Sequence, residues 1–367
     1  MTTDYDVAVV GAGLAGCAAA CRLARGGARV ILFEKAAAPH HKVCGEFLSG
    51  EGLPFLRDMG IDLECTPAVP SFRLHGPARS CEAALPMPGR AFSRYRLDEL
   101  MLDAATQAGV KVRRGVVVQT LEDATSDRGY EIDGYRAPRV VCAAGKSEFR
   151  PVQTRQGKDS GMVGFKLHLK LAPQAQDRLQ GHVDLFVFRG GYGGVAPVEG
   201  GVANFCFLVE KSKLNDMPRN WPAMSAWLGQ RCDGLDACLR DSRPVFWPAL
   251  SVANVPYGFV RESAVADDLY CVGDQLAVIP SLTGEGMTIA LMSGSRAAEH
   301  ILNRGGATGF HEEMHELLKP RVALGYQVHR LFKAPGICDL ATQLVARWPR
   351  LLEYIFSNTR LPQLSRL

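Results

Sequence analysis

Residues 4–34 read DYDVAVVGAGLAGCAAACRLARGGARVILFE and predict a strand, a tight glycine turn, a helix, a second strand and then an acidic residue. The first, β-branched run ends at Gly11, which opens a GxGxxG motif. In such a motif Gly11 makes the turn, Gly13 lets the backbone approach a pyrophosphate, and Gly16 lets the helix pack tightly on the strand. The phosphates would lie at the helix N-terminus, where free N–H groups and the helix dipole favour anions.

The acidic residue after the second strand is Glu34, at about the expected 20 residues past the turn. A carboxylate there accepts hydrogen bonds from both ribose hydroxyls and repels a 2′-phosphate. The pattern therefore predicts bound FAD or NAD rather than NADP. A lone GxGxxG motif is weak evidence, but here the flanking strand, the helix and the acid are all present.

Composition limits the class of protein. The 367 residues are 47% hydrophobic and carry 42 Lys+Arg against 38 Asp+Glu, a net charge of +4. Two interleaved lobes with a real core fit these values, and nucleic-acid binding is not indicated. The 11 cysteines form no CxxC, so we expect no metal site and no disulfide framework. An N-terminus unlike a signal peptide and the lack of a long apolar run predict a cytoplasmic protein.

Two segments that follow the first glycine turn carry candidate residues. His40 and His41 lack partners at ligand spacing and are expected to lie in a solvated loop. The KVCGE sequence at 42–46 lies where the chain would pass the far end of the cofactor, so Cys44 is either a buried thiol or a group near the reactive ring. The SRYRLD sequence at 93–98 opens a helix, whose Arg94 or Arg96 either reaches a phosphate or is ordinary surface charge. Residues 110–118 and 139–143 predict further buried strands.

From residue 161 the apolar pattern changes to period two, which predicts an antiparallel sheet with two distinct faces. Leu167 and Leu169 alternate with Lys166, His168 and Lys170, so His168 is expected on the strand surface. The glycine-rich run at 190–194 is followed by no helical pattern, and therefore predicts a hairpin or pocket loop rather than a second nucleotide site.

A second glycine-rich helix start lies some 260 residues after the first. Residues 268–272 predict a buried strand, Gly273 and Asp274 follow it, and PSLTGEGM at 280–287 opens a helix. One helix N-terminus would hold a pyrophosphate, and the second would direct its partial positive charge at a reduced isoalloxazine. Asp274 is expected to bind a ribityl or ribose hydroxyl.

The tail at 312–367 is predicted to be largely helical, with a break or kink at Pro349. Two short apolar stripes flank this proline. They comprise Leu340, Leu344, Val345 and Trp348 before it, and Leu351, Leu352 and Ile355 after it. Either the tail docks on the protein's own body, or it makes peripheral membrane contact or covers a lipid entrance.

Together these motifs resemble the FAD-dependent oxidoreductases of the para-hydroxybenzoate hydroxylase fold, and most closely the geranylgeranyl reductase-like branch. The resemblance rests on GAGLAG with Glu34, on the motifs at 42–46, 93–98 and 280–287, and on the Gly-Asp pair at 273–274. It implies bound FAD and a set of cofactor-binding residues. These are Gly11, Gly13, Ala15, Gly16, Glu34, Lys35, Lys42, Cys44, Gly45, Arg94, Val118, Asp274, Gly284, Gly286 and Met287.

The resemblance also implies an α/β fold in which a Rossmann-type FAD-binding domain is interleaved with an antiparallel β-sheet substrate domain and followed by C-terminal helices. We expect the FAD-binding domain at 1–70, 93–155 and 263–305. The substrate domain would take a short excursion at 71–92 and the main segment at 156–262, and the C-terminal helices would occupy 306–367.

The leading hypothesis for function is a monooxygenase that uses O2 and hydroxylates an aromatic or polyketide-type substrate through a flavin C4a-hydroperoxide. NAD(P)H, or an external reductase, would be the transient electron donor, and an apolar sheet would keep water from the intermediate. Backbone N–H groups at 284–287 would stabilise charge on the flavin.

Two alternatives remain open. One is a flavin-dependent C=C reductase of a lipid or prenyl-type substrate, with Cys44 near the ring. The other is a flavin- or lipid-binding protein without turnover. Ala144 stands where family hydroxylases carry the aspartate of an Asp-Gly pair. The stretch in which prenyl reductases tend to have an aromatic residue reads YGGVAP here, at 192–197, and does not clearly match their pattern. No side chain is identified as a catalytic base.

Overall fold

The structure is a computed structural model that describes residues 5–63, 66–76, 79–123, 129–147, 149, 151–152, 155, 158–159, 161–333, 343 and 347–362. The strands are β1 Val7–Val10, β2 Val30–Glu34, β3 Phe47–Leu48, β4 Ala68–His75, β5 Ser80–Ala91, β6 Lys111–Arg114, β7 Glu122–Asp123, β8 Tyr130–Ile132, β9 Tyr135–Ala137, β10 Val140–Cys142, β11 Lys158–Asp159, β12 Met162–Lys170, β13 His182–Phe188, β14 Gly191–Val198, β15 Val202–Glu210, β16 Arg243–Pro244, β17 Leu250–Ala253, β18 Pro256–Tyr257, β19 Phe259–Val260, β20 Leu269–Cys271 and β21 Ala277–Val278. The helices are α1 Leu14–Arg25, α2 Leu53–Asp58, α3 Arg94–Gln107, α4 Pro173–Leu179, α5 Trp221–Gly229, α6 Asp233–Leu239, α7 Gly286–Leu302, α8 Ala307–Lys333 and α9 Pro349–Thr359.

A five-stranded parallel sheet has the order β20-β10-β1-β2-β6. The chain runs outward from β1 through β2 to β6, and then returns to β10 on the other side of β1. Open parallel sheets bind ligands at such a reversal, beyond the carboxyl ends of the strands. Cys17 and Cys21 of helix α1 are fully buried in the hydrophobic core that covers one face of this sheet.

The second sheet contains nine strands in the described part of the chain, in the order β16-β12-β15-β14-β13-β4-β5-β3, with β17 also paired to β12. Its neighbours run antiparallel except β4 and β13, which are parallel. Strands β4 and β5 precede α3 in the chain, whereas the other long strands follow β10, so the sheet is discontinuous in sequence. The predicted α/β class with two interleaved sheets is confirmed, and the glycine-rich run at 190–194 lies in the β13–β14 hairpin.

Two details differ from expectation. The strand predicted at 110–118 ends at Arg114, and Val116, Val117 and Val118 instead line a cavity. The apolar residues at 97, 100, 101, 104 and 105 predict one buried face for α3, but Leu100 is 38% exposed. In both cases the apolar pattern of the sequence extends further than the surface that the neighbouring elements bury.

Most of the described C-terminal segment is helical, in α8 and α9. Pro349 is the first residue of α9, a position that proline favours because its missing N–H would have no helical partner there. Leu340, Leu344 and Val345 lie outside the described residues. One side of α9 docks on the body, since Phe356 is buried with its ring centroid 4.1 Å from that of Phe72. No helix in the described ranges is long and apolar enough to cross a membrane.

Candidate active site

The glycine turn at residues 11–16 has the geometry that its sequence predicts. Gly11 has a φ of +104°, and a Cβ on it would lie 2.3 Å from the carbonyl oxygen of Ala143 at the end of β10. A Cβ on Gly16 would lie 1.8 Å from the carbonyl oxygen of Gly11, so only glycine lets α1 pack this closely on the turn. A Cβ on Gly13 would meet no backbone atom, and the nearest atom to it would be the guanidinium tip of Arg94, 3.7 Å away. Gly13 is therefore the position where the backbone is open to a ligand.

Glu34 is fixed at the end of β2 by the turn itself. Its carboxylate is buried and accepts hydrogen bonds from the backbone N–H groups of Ala12 and Ala36, each at 2.9 Å. Each oxygen keeps a lone pair for a ribose hydroxyl. The neighbouring Lys35 is bonded instead to the hydroxyl of Ser147, at 2.8 Å, in the segment after β10.

The second glycine-rich start lies beside the first. Gly284 is left-handed, with φ +71°, and α7 begins two residues later at Gly286. Within α7, a Cβ on Gly294 would lie 2.1 Å from the carbonyl oxygen of Ala15, so α1 and α7 cross in close backbone contact. The N-termini of both helices consequently face one cavity, and their partial positive charges act on the same ligand.

This cavity has a volume of about 650 Å³ and begins at the carboxyl ends of β1, β2, β10 and β20. Of the predicted cofactor-binding residues, all except Gly16 line it. They are Gly11, Gly13, Ala15, Glu34, Lys35, Lys42, Cys44, Gly45, Arg94, Val118, Asp274, Gly284, Gly286 and Met287. Asp274 faces the cavity with its carboxylate 3.6 Å from the ammonium of Lys146, a pairing that the sequence did not indicate.

Two cations share one buried carboxylate next to Gly13. Arg94 Nε and Lys42 Nζ each lie 2.6 Å from an oxygen of Asp98. Burial alone would raise the pKa of Asp98, but the charges of Arg94 and Lys42 hold it below its ordinary value. Two positive charges against one negative charge leave a net attraction for a phosphate. Sequence reasoning missed Asp98, although an acid four residues after Arg94 in a helix is at salt-bridge spacing.

The same cavity continues into an apolar chamber under the second sheet, which we call the substrate chamber. Side chains of β4, β5, β13, β14 and β15 form its walls, and Phe356 of α9 closes one side. The apolar lining residues include Phe72, Leu85, Val183, Leu185, Leu208 and Phe356.

Cys44 lies at the junction of the two parts of the cavity. Its carbonyl oxygen accepts a hydrogen bond from Asn204 Nδ2 at 3.1 Å, and its sulfur accepts one from the N–H of Glu46 at 3.4 Å. The thiol is partly buried and lines the cavity, so it is accessible to a bound ligand.

The prediction that His168 lies on a strand surface is wrong. His168 is 6% exposed and Lys166 is fully buried, because both side chains extend toward Glu46 rather than toward solvent. His168 Nε2 donates to Glu46 at 2.7 Å, and Lys166 forms an ion pair with the same carboxylate. Burial alone would raise the pKa of Glu46, but the hydrogen bond from His168 and the charge of Lys166 lower it below its ordinary value.

His41 is not in a solvated loop either. Its ring lies 4.7 Å from that of His168 and is stacked at 4.7 Å on Phe246. Burial and the charge of Lys166 lower its pKa to about 4. His41, Glu46 and His168 place potential ligand atoms within 4.8 Å of one another. Since the Lys166 ammonium already neutralises this carboxylate, a metal cation there would meet a like charge, and we interpret the group as an anchor for the segment at 42–46.

A second buried ion pair ties the chain terminus to the site. Arg360, which follows α9, pairs with Glu285, the residue before Gly286. Burial raises the pKa of Glu285 above its ordinary value, although the charge of Arg360 opposes this. The last helix is thus attached directly to the second glycine-rich loop.

One cavity contains a glycine turn where the strand order reverses, a ribose-binding acid, and a second helix N-terminus at its far end. These features define a protein that holds a long dinucleotide. Residues 4–133 match the FAD binding domain family. The chain is therefore an FAD-dependent oxidoreductase that carries this FAD-binding domain, and the resemblance stated from the sequence is confirmed.

Two relatives named as reductases cover most of the chain, and a monooxygenase covers part of it. Menaquinone reductase of Mycolicibacterium smegmatis is 27% identical over 357 residues, which span 90% of this chain and 84% of that protein. Digeranylgeranylglycerophospholipid reductase 2 of Methanopyrus kandleri is 27% identical, with 81% of this chain and 76% of that protein covered. Squalene monooxygenase of Mus musculus is 29% identical over 199 residues, 47% of this chain and 34% of that protein.

Among solved structures, the flavin-dependent brominase Bmp2 superposes with a TM-score of 0.77 at 18% identity, covering 97% of this chain and 93% of that one. At this identity the likeness shows the fold alone.

Proposed function

We propose that this flavoprotein reduces a carbon–carbon double bond of a hydrophobic, isoprenoid-type substrate. The observation that carries the proposal is the continuity of the cavity, which runs from the glycine turn past Cys44 into the apolar substrate chamber. The relatives that align over most of the chain are named as reductases, which favours reduction over the hydroxylation that the sequence placed first.

The residues of the cleft suit FAD in an extended conformation. Gly13 and the N-terminus of α1 would bind the pyrophosphate, with Arg94 and Lys42 beside it, and Glu34 would bind the adenosine ribose. Residues 284–287 and the N-terminus of α7 would face the ring and favour its anionic reduced form. When bound there, FAD supplies the hydride, after reduction by NAD(P)H or by an external reductase.

The chain's own contribution is to exclude water and to place the substrate. The walls of the chamber are apolar, so a lipid-like chain gains free energy by entering and water does not compete for the ring. Cys44 lies where this chamber meets the cleft and is the candidate for contact with both ring and substrate.

Anaerobic turnover tests the proposal. Purified protein with FAD, NADPH or dithionite, and a prenylated lipid should yield a product heavier by two hydrogens in the absence of oxygen, detected by mass spectrometry. Cys44→Ser should retain bound FAD and reduce the yield. The proposed reduction of the lipid would be contradicted if the reduced flavin were reoxidised only by oxygen and no reduced lipid formed with any electron donor.

A monooxygenase is the second candidate, supported by the partial alignment with a squalene monooxygenase and by the same dry chamber. In this case an aromatic or polyketide-type substrate would gain one oxygen atom, and oxygen consumption would match product formation in the presence of NAD(P)H.

We further propose that the exposed side of α9 contacts a membrane surface from which the substrate is taken. Trp348 and Tyr354 are 60% and 63% exposed, while Phe356 on the opposite side closes the chamber. Exposed aromatic side chains beside Arg347 and Arg350 are typical of helices that lie on anionic lipid surfaces.

A further inference from the structure

Three hydroxyl groups meet in the wall of the substrate chamber. Tyr257 donates a hydrogen bond to Ser281 Oγ at 3.2 Å, and the hydroxyl of Tyr192 lies 3.3 Å from the same oxygen. Tyr192 belongs to β14 and Tyr257 to β18, whereas Ser281 begins the short turn that leads to Gly284. All three residues line the cavity. The group therefore joins the chamber to the loop that faces the flavin.

The three hydroxyls are partners of one another, since the two phenols are hydrogen-bonded to each other as well as to Ser281. A hydroxyl proton can rotate, so one member of the group can donate to a ligand oxygen in place of its neighbour. Hydrogen bonds that run in sequence polarise one another, so the last donor in such a chain is a stronger donor than an isolated hydroxyl.

The group is also uncharged. Burial raises the pKa of both Tyr192 and Tyr257, so that each phenol keeps its proton at neutral pH. The ring of His329 packs edge-on to both, with centroids 5.6 and 5.3 Å away, and burial lowers its pKa to about 4. A neutral acceptor oxygen suits these surroundings better than a carboxylate or phosphate, which would lose its hydration against apolar walls.

We infer that Tyr192, Tyr257 and Ser281 form a subsite for a carbonyl oxygen, and that the substrate is a hydrophobic molecule with a carbonyl group held beside the flavin loop. The inference rests on the chamber being the substrate site of the proposed function, but it holds for reduction and for hydroxylation alike. It assigns a specificity-determining role to three residues that carry no charge.

Binding without turnover tests this subsite. The FAD-loaded protein, with no electron donor, is titrated with 1-tetralone and with tetralin, which differ only by the carbonyl oxygen, and dissociation constants are measured by calorimetry. The ratio of the dissociation constant for tetralin to that for 1-tetralone expresses the preference for the ketone. This ratio is also measured for the triple variant Tyr192→Phe/Tyr257→Phe/Ser281→Ala, which keeps the two rings and removes all three hydroxyls of the subsite. Ser251→Ala, at another serine that lines the cavity, is the matched control.

The wild-type preference for the ketone should exceed that of the triple variant by roughly three- to tenfold, the range expected for one hydrogen bond. Ser251→Ala should keep the wild-type ratio, and tetralin should bind all three proteins alike. A triple variant with unchanged tetralin affinity and an unchanged ratio would overturn the subsite. Because no reaction takes place, that result would leave the proposed reduction untouched, whereas failure of both ligands to bind any variant would count against the chamber itself.

Discussion

Glu46 and His168 are 122 positions apart in the chain, yet His168 Nε2 lies 2.7 Å from a carboxylate oxygen of Glu46 with both side chains buried. The contact joins the segment at 42–46, which lines the flavin cleft, to β12 of the second sheet. Glu46 also accepts a hydrogen bond from the backbone N–H of Arg94, at 2.7 Å, where α3 begins. One carboxylate therefore positions three separate elements around the site.

Glu46→Gln is expected to destabilise the fold by about 3–5 kcal/mol, because it leaves the ammonium of Lys166 fully buried without a counter-charge. Urea unfolding at pH 7 measures the loss. The double variant Glu46→Gln/Lys166→Met should lose much less than Glu46→Gln alone, since an apolar side chain at 166 needs no partner. Equal stability of the single variant and the wild type would show that the pair is not formed.

The stability difference between wild type and Glu46→Gln should also depend on pH. The pKa of Glu46 is lower in the folded protein than the ordinary value of 4.5, so the charged carboxylate stabilises the fold above that pH. This stabilisation is lost as the pH falls through the lower, folded-state pKa, where wild type and variant carry the same neutral group. Unfolding curves at pH 7 and at successively lower pH values should converge, and a constant difference would contradict the assignment.

The sequence predicted the parts of the fold that local pattern determines. The turn at 11–16, the acid at 34 and the second helix start at 286 are each set by a few consecutive residues with a required geometry, and the structure places all of them around one cavity. The hairpin at 190–194 was predictable for the same reason. Each of these features depends on backbone conformation more than on distant neighbours.

What the sequence did not predict depends on partners far along the chain. An alternating strand pattern distinguishes two faces, but it does not say whether the polar face meets water or another domain. At β12 the polar face meets Glu46, so Lys166 and His168 are buried. A lysine and a histidine two residues apart in an otherwise apolar strand could have suggested a buried acid as partner. The pair of Glu285 with Arg360 was missed for the same reason. Asp98 differs, because its partner Arg94 is only four residues away and the spacing was a local signal that was overlooked.

Gly16→Ala and Gly13→Ala should fail in different ways. A Cβ at 16 meets backbone at 1.8 Å, so this variant should lose about 1–3 kcal/mol of stability as well as bound FAD. A Cβ at 13 meets only side-chain tips, so the apoprotein should unfold normally while FAD affinity falls at least about tenfold, through loss of the close approach to the pyrophosphate.

Two readouts separate these variants: the ratio of flavin to protein absorbance after desalting, and the urea midpoint of the apoprotein. Gly309→Ala is the control, because nothing lies within 4 Å of the Cβ it would add in α8. If Gly13→Ala retained FAD as tightly as wild type, the pyrophosphate would have to bind elsewhere.

Arg360→Met should release the C-terminal helix from the second glycine-rich loop. The substitution leaves Glu285 buried without its cation, which is costly enough to favour local detachment of α9. Trypsin should then cleave after Arg347 and Arg350 faster than in the wild type, as followed by mass spectrometry. Adding Glu285→Gln should restore resistance.

The control for this experiment is Arg240→Met. Arg240 pairs with Asp236 on the surface, where side chains are 70% and 42% exposed, and such pairs contribute little. Cleavage of the tail should be unchanged in this variant. Tail cleavage equally slow in Arg360→Met and wild type would mean that α9 is held by its apolar contacts with Phe72 and its neighbours alone.

Trp348→Ser/Tyr354→Ser should weaken attachment to lipid vesicles without changing the flavin content. Trp348 directly precedes α9 and Tyr354 lies within it. Both side chains are exposed, and burying them at a headgroup layer is the favourable step in the proposed membrane contact. Flotation with vesicles that contain anionic phospholipid should show wild-type protein in the lipid fraction and much less of the double variant. Val245→Ser, which removes a 50% exposed apolar side chain directly after β16, should float like wild type. Wild-type protein that stays out of the lipid fraction at low salt would show that the exposed side of α9 has another role, and substrate would then have to reach the chamber from solution.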